Sequence, residues 1–327
     1  MKASPTSGLI HAFALDNAGG CREVEWQSIA NITEAQQDYL WLHFDFEKED
    51  AQMWLRDKSG LNDISVRALL ADDSRPRAIS RGDHLLLALR GMNLNPGAEP
   101  DDMVSLRIWT NGRVIVSTRR RTLQATEDII EDLQHNQGPK TALDLLVSWI
   151  ARIVQKMNGT VDSLEDQVLA LEDRVLDGDS SGIRLELSRL RRQCIAFRRY
   201  LSPQREAMNR LCNEPITWLD DLNRIRLREV NDRLIRHIED IDEVRERAAM
   251  AQEELLSQMS EQMNERTYIF TIVATLFLPL GFFTGLMGIN VGGMPGIEDD
   301  KAFWIVVAMS AGIAGILAFY FKTKRWF

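Results

Sequence analysis

Thr267–Asn290 reads TYIFTIVATLFLPLGFFTGLMGIN and contains no Asp, Glu, Lys, Arg or His. As a helix rising ~1.5 Å per residue it covers a hydrocarbon core of ~30 Å. A second apolar stretch, Ala302–Phe321 (AFWIVVAMSAGIAGILAFYF), follows after a short polar turn. The two predict a pair of membrane crossings at the C-terminal end, and everything upstream reads as soluble in character. Working outward, the chain divides into 1–138, a cytoplasmic α/β domain; 139–266, a helical hairpin and stalk; 267–289, the first crossing; 290–301, an outer loop; 302–321, the second crossing; and 322–327, a basic tail. The fold class is α+β.

The formal charge of −9 lies upstream of the crossings. That balance argues against a general nucleic-acid binder and allows attraction of cations. Cys21, Cys194 and Cys212 are odd in number and far apart, so free thiols and no cysteine zinc site are expected. The N-terminal MKASPTSGLIHAFALD lacks the long apolar core of a signal peptide.

Short apolar or alternating runs bounded by Gly, Asn and Asp predict strands at Gly8–Leu15, Tyr39–Phe46, His84–Leu89, Met103–Trp109 and Arg113–Ser117. Asn111-Gly112 marks a hairpin between the last two. Helices are expected at Lys48–Lys58, Asp63–Ala71 and Leu123–Leu133. Thr141–Leu176 and Ile183–Leu211 read as two arms of an antiparallel helical hairpin around a Gly/Ser turn. The first arm carries Asp162, Glu165, Asp166, Glu172 and Asp173; the second is rich in arginine, so pairing across the hairpin is expected. From about Trp218 no Pro occurs before Pro279, which predicts one stalk helix of ~65–70 residues entering the membrane. Leu227, Leu234, Ile241, Ala248 and Leu255 recur every seven residues and predict a seam, read here as facing another copy of the chain.

Within the first crossing, Pro279 removes one backbone hydrogen bond and predicts a kink. Thr267, Thr271, Ala274, Leu278, Gly281 and Gly285 fall on one narrow helix face, small or hydroxylated except at Leu278. Such a face serves helix packing or lines a narrow pore, and the two uses are compatible. In the second crossing, Ala308, Ala311, Gly312 and Gly315 share a side, expected to pack on the first. Lys322, Lys324 and Arg325 place the C-terminal end, and by two crossings the N-terminal end, in the cytoplasm. The outer loop holds Glu298, Asp299 and Asp300.

Two helices cannot enclose a pore, so a channel built from this chain requires a homo-oligomer. A ring of copies would bring the loop acids and Asn290 together at one mouth, concentrating cations beside an uncharged carbonyl oxygen. Glu253, Glu254, Glu261 and Glu265 would form an acidic inner vestibule. The five histidines show no ligand spacing; His237, among Asp240, Asp242, Glu243 and Glu246, sits on an acidic stalk face. No nucleophile elbow, P-loop or dinucleotide fingerprint is present. No catalytic residue and no cofactor is expected.

The long helix entering the membrane, Pro279, Gly288-Ile289-Asn290 at the outer end of the first crossing, the short loop and the C-terminal second crossing together resemble the CorA metal-ion transporter superfamily. Arg75-Pro76 with His84–Arg90 (HLLLALR), and Tyr39–Asp45 (YLWLHFD), resemble its N-terminal domain. The family signature is Gly-Met-Asn; Ile289 departs from it and resembles the zinc-transporting branch. The resemblance implies a funnel-shaped homopentamer in the inner membrane, a pore lined by the first crossing, and Gly288, Ile289 and Asn290 as the selectivity motif, with Asn290 meeting a hydrated cation. It implies zinc as the transported ion, with membrane lipid, divalent metal ions and further copies of the chain as partners; the membrane potential and the outer loop acids point to uptake, with proton coupling left open. Magnesium or broad divalent transport, zinc efflux, and a membrane-anchored scaffold without flux are the alternatives.

Overall fold

The computed structural model describes residues 8–25, 39–72, 75–99, 102–178, 182–289 and 301–323. The chain forms two compact units, 1–252 and 253–327.

The first unit is built on a seven-stranded sheet. Its strands are β1 (Leu9–Leu15), β2 (Cys21–Glu23), β3 (Tyr39–Asp45), β4 (Arg77–Arg81), β5 (His84–Met92), β6 (Met103–Thr110) and β7 (Val114–Arg119). Their order is β2-β1-β3-β7-β6-β5-β4. β4 to β7 form an antiparallel meander, and β1, β2 and β3 are antiparallel too. The two sets join through the parallel pair β3–β7, so β3 is central and buried on both faces. Its alternation places Leu40, Leu42 and Phe44 against α1 (Glu49–Asp57) and α2 (Asp63–Leu69), where Trp54, Leu55 and Leu69 meet them. On the other face Trp41 and His43 meet Trp149 of α4 (Ala142–Gln155) at ring distances of 5.0 and 5.9 Å. The two indoles are satisfied locally: the Trp41 N–H donates to Ser117 Oγ (2.9 Å) and that of Trp149 to Thr126 Oγ1 (3.0 Å), whereas the buried His43 Nε2 has no hydrogen-bond partner among the described residues.

β2 and β4 were not anticipated, since CRE and RAISR are short and charged and carry no alternating apolar signal; both are edge strands, where such sequence is tolerated. The β6–β7 hairpin does turn at Asn111-Gly112. The Asn111 side-chain oxygen accepts from the N–H groups of Arg113 and Val114, and Gly112 takes φ 85°. A Cβ on Gly112 would also stand 2.4 Å from the Trp218 ring.

α3 (Gln124–Gln134) precedes α4. The expected single arm Thr141–Leu176 is instead two helices, α4 and α5 (Asn158–Leu176), broken at Lys156-Met157. Met157 is fully buried at the bend, Lys156 is tied to Asp128 of α3 at 2.8 Å, and Asn158-Gly159 are weak helix formers. α5 pairs with α6 (Ile183–Asn213) as the antiparallel hairpin.

The charges of that hairpin turn mostly to the long helix α7 (Asp221–Met287) and not across it. Glu172 of α5 takes both arms of Arg247, and Arg198 of α6 reaches Asp242 at 2.5 Å, while Arg174–Glu186 spans the hairpin at 2.8 Å. The heptad seam is corrected in the same sense. Leu227, Leu234, Ile241 and Ala248 are at most 1% exposed within one chain, and Asn231 beside them bonds Asn209 of α6 at 2.7 Å. The seam therefore packs inside the protomer.

The second unit contains the rest of α7, continuous through Pro279, and α8 (Ala302–Thr323). Both helices include a span long and apolar enough to cross a membrane. Most of their large apolar side chains are exposed and several are half-buried; Leu255, Ile272 and Phe321 are the buried ones.

Candidate pore-lining segment

On α7, Thr267, Thr271, Ala274, Leu278, Gly281 and Gly285 are all exposed, with Leu278 at 77%. A Cβ added to Gly281 or Gly285 would meet nothing within 4 Å. The face is thus open along its length. Gly312 and Gly315 of α8 are equally open, so within one chain the small sides of the two helices do not pack together as expected. α8 meets α7 instead near its C-terminal end, where Phe321 and Ile272 flank a cavity of about 360 Å³ that Thr267, Thr271 and Thr275 also line. Thr267 and Thr271 therefore stand at the border between the open face and the α8 contact. Thr275 was overlooked in the sequence; its signal is the four-residue step Thr267, Thr271, Thr275.

The threonine hydroxyls are oriented by the helix. Thr271 Oγ1 donates to the Thr267 carbonyl (2.8 Å), Thr275 Oγ1 to that of Thr271 (2.7 Å) and Thr284 Oγ1 to that of Leu280 (2.9 Å). Each hydroxyl spends its one proton on the backbone, so what it offers outward is oxygen lone pairs. Oxygen acceptors without charge can hold the water shell of a cation or replace part of it.

α7 ends at Met287. Gly288 N–H donates to the Thr284 carbonyl at 3.0 Å, and Ile289, 48% exposed, is the last described residue of the motif. Asn290, the loop acids Glu298, Asp299 and Asp300, and the tail residues Lys324, Arg325 and Trp326 lie outside the described residues.

Toward the other end of the second unit, Glu253, Glu254, Glu261 and Glu265 are exposed on α7. Glu254 accepts from Gln258 at 3.0 Å; the other three have no ion pair among the described residues. Between them runs an exposed apolar stripe, Leu256, Met259 and Met263. In the first unit, His237 is almost buried, with Asp240 Oδ2 3.9 Å from its Nδ1, and burial holds its pKa below the usual value. Among the described residues no group of three His, Cys, Asp or Glu side chains is placed to hold a metal ion.

A family model described as CorA-like Mg2+ transporter protein matches residues 36–325. A Pseudomonas aeruginosa protein named divalent cation transporter CmaX is 38% identical over 321 residues, 98% of this chain and 97% of that one. A Pectobacterium carotovorum protein named zinc transport protein ZntB is 36% identical over 321 residues, 98% of this chain and 96% of that one. The solved structure of full-length CmaX matches with a TM-score of 0.85 at 36% identity, over 99% of this chain and 100% of that one. That of the CorA magnesium transporter from Methanocaldococcus jannaschii gives 0.82 at 19% identity over 97% of this chain and 99% of that one, a likeness of fold alone.

Proposed function

This chain belongs to the CorA-like transporter family, and from that membership we propose that it carries divalent cations across the inner membrane, zinc foremost, through the centre of a homopentamer lined by α7. The observation that carries the reading is the open face of α7 from Thr267 to Gly285, uncharged, on which the Thr271 hydroxyl gives its proton to the Thr267 carbonyl and keeps its oxygen lone pairs. That face gives no tight zinc ligand, because no His, Cys or carboxylate lies on it. Selection would rest on size, hydration and field. Hydrated ions would gather at Glu298, Asp299 and Asp300, be positioned by Gly288-Ile289-Asn290 and leave past Glu265, Glu261, Glu254 and Glu253. Lys322, Lys324 and Arg325 support cytoplasmic termini.

The membrane potential favours uptake. A divalent ion moving inward gains ~4.6 kcal/mol at ~100 mV. Zinc over magnesium is supported by Ile289 and by the relatives named for zinc transport. A second reading, broad divalent transport through the same path, is favoured by the relative named divalent cation transporter. Liposomes holding the purified protein separate them. Zinc influx that excess magnesium does not reduce supports the first; mutual competition supports the second; absence of any flux defeats both. Clamping the potential at zero with equal zinc on both sides and a pH gradient tests coupling: net zinc accumulation there requires protons to drive it.

A further inference from the structure

A cavity of about 520 Å³ opens between the start of β4 and the face of α6 around Pro203. Arg75, Arg77, Arg205 and Arg210 line it, against the single carboxylate of Glu206. Arg77 also borders the adjoining hollow, where Arg67 of α2 stands. In a chain of formal charge −9, four arginines around one cavity and a fifth in the adjoining hollow create a local field of opposite sign.

Pairing among the described residues does not account for them. Arg205 reaches only its neighbour Glu206, at 3.3 Å, and Arg67 donates to the Asp63 carbonyl at 3.3 Å. The side chains of Arg75, Arg77 and Arg210 have no hydrogen-bond or ionic partner among the described residues.

The geometry makes the charges converge. Pro203, Glu206, Ala207 and Arg210 form one stripe of α6, and Arg77 and Ile79 share one side of β4. The two walls are pinned together. Gln204 of α6, 1% exposed, accepts the Arg90 N–H at 2.7 Å, and the Ser80 hydroxyl donates to Glu214. The Asp83 carboxylate accepts from Thr217 Oγ1 at 2.6 Å and its carbonyl from the Trp218 indole at 2.8 Å. The gap is held open by fixed elements, so a ligand would not have to build it.

From these residues we infer that the cavity is a binding site for a multiply charged phosphate group, independent of the transport path. Guanidinium forks match phosphate oxygens two at a time, and several around one cavity suit more than one phosphate. No aromatic ring lines the cavity to stack a base, so recognition goes to the phosphates. A soluble phosphoanhydride and a phospholipid headgroup share this chemistry.

The test is calorimetric titration of the full-length protein in detergent with sodium pyrophosphate, metal removed by EDTA. Saturable binding, one site per protomer and tighter than orthophosphate, is expected. R77Q/R210Q is expected to weaken it at least about tenfold. R189Q/R192Q, an equal loss of charge from exposed positions of the same helix, is expected to leave it unchanged. If R77Q/R210Q fails to fold, Arg77→Lys keeps the charge, removes the fork and is expected to show a smaller loss. Nanodiscs with and without cardiolipin form the second arm; cardiolipin binding that needs Arg77 and Arg210, without pyrophosphate binding, supports the site and assigns it to lipid. The inference is overturned if neither ligand binds saturably, if R77Q/R210Q binds like wild type, or if the control pair loses as much.

Discussion

The two parts of α7 face opposite surroundings. In the first unit its apolar seam is shut away: Leu227, Leu234 and Ala248 are 0% exposed. In the second unit Phe270, Leu278 and Phe282 are 74%, 77% and 73% exposed. One helix thus draws burial from its own chain over one part and leaves its apolar surface uncovered over the other. Exposed apolar area of that extent marks a surface made for lipid or for other copies. Seven-residue spacing reports that a helix has a partner, and exposure reports whether that partner lies in the same chain.

The comparison breaks most sharply at Leu234. Leu234→Ala is expected to cost about 2–5 kcal/mol of stability, as buried Leu truncations do. Leu278→Ala, already exposed, is expected to cost under about 0.5 kcal/mol in the same urea titration followed by tryptophan fluorescence. If Leu234→Ala instead leaves the titration unmoved and dissociates the oligomer, the seam faces another chain.

A smaller effect, on transport, is expected at the outer end of α7. Asn290→Ala should lower flux about tenfold or more, ~1.4 kcal/mol, while the oligomer still elutes intact. Wild-type flux from that protein would remove Asn290 from the path.

Protons sharpen the comparison next. Burial holds His43 well below its usual pKa, with Arg119 and His11 adding to the shift; burial likewise lowers His11 and His237. A depressed folded-state pKa means the unfolded chain takes the proton first. The stabilisation is therefore complete above about pH 6.5 and is lost as pH falls below it, at no more than about 1.4 kcal/mol per pH unit per histidine. Urea midpoints measured from pH 7.5 to 5 should fall with acid, and less steeply in His43→Gln. A flat profile would contradict the burial of these rings.

The smallest effect is expected from the loop. E298Q/D299N/D300N should weaken apparent cation affinity by roughly two- to fivefold, with the difference shrinking as salt screens charge over ~8–10 Å. A change in maximal rate alone, indifferent to salt, would rule out a concentrating role.

Much of this was legible in the sequence because its signals are local. The apolar runs of α7 and α8, the alternation of β3 and the Asn111-Gly112 turn each depend on neighbours in the chain. What escaped depends on tertiary choice. β2 and β4 exist because a sheet edge accepts them, and the break at Met157 exists because that side chain is buried. Spacing alone could not decide whether the seam met its own chain, nor that Arg198 would choose Asp242 on α7. For the site, the shared face of Thr267 and Thr271 was legible from angle and the four-residue step to Thr275 was there to be read, but the place of Thr275 beside Phe321 depends on where α8 lies.

The seat of Trp218 over Gly112 has a consequence in time. The β6–β7 hairpin is a local structure that can close early, but Trp218 arrives from a point far along the chain, after α3 to α6. Its docking on Gly112 and Asp83 is therefore expected late in folding, a latch set after the sheet. Loosening it by Trp218→Phe should accordingly hasten unfolding while leaving the folding rate nearly unchanged.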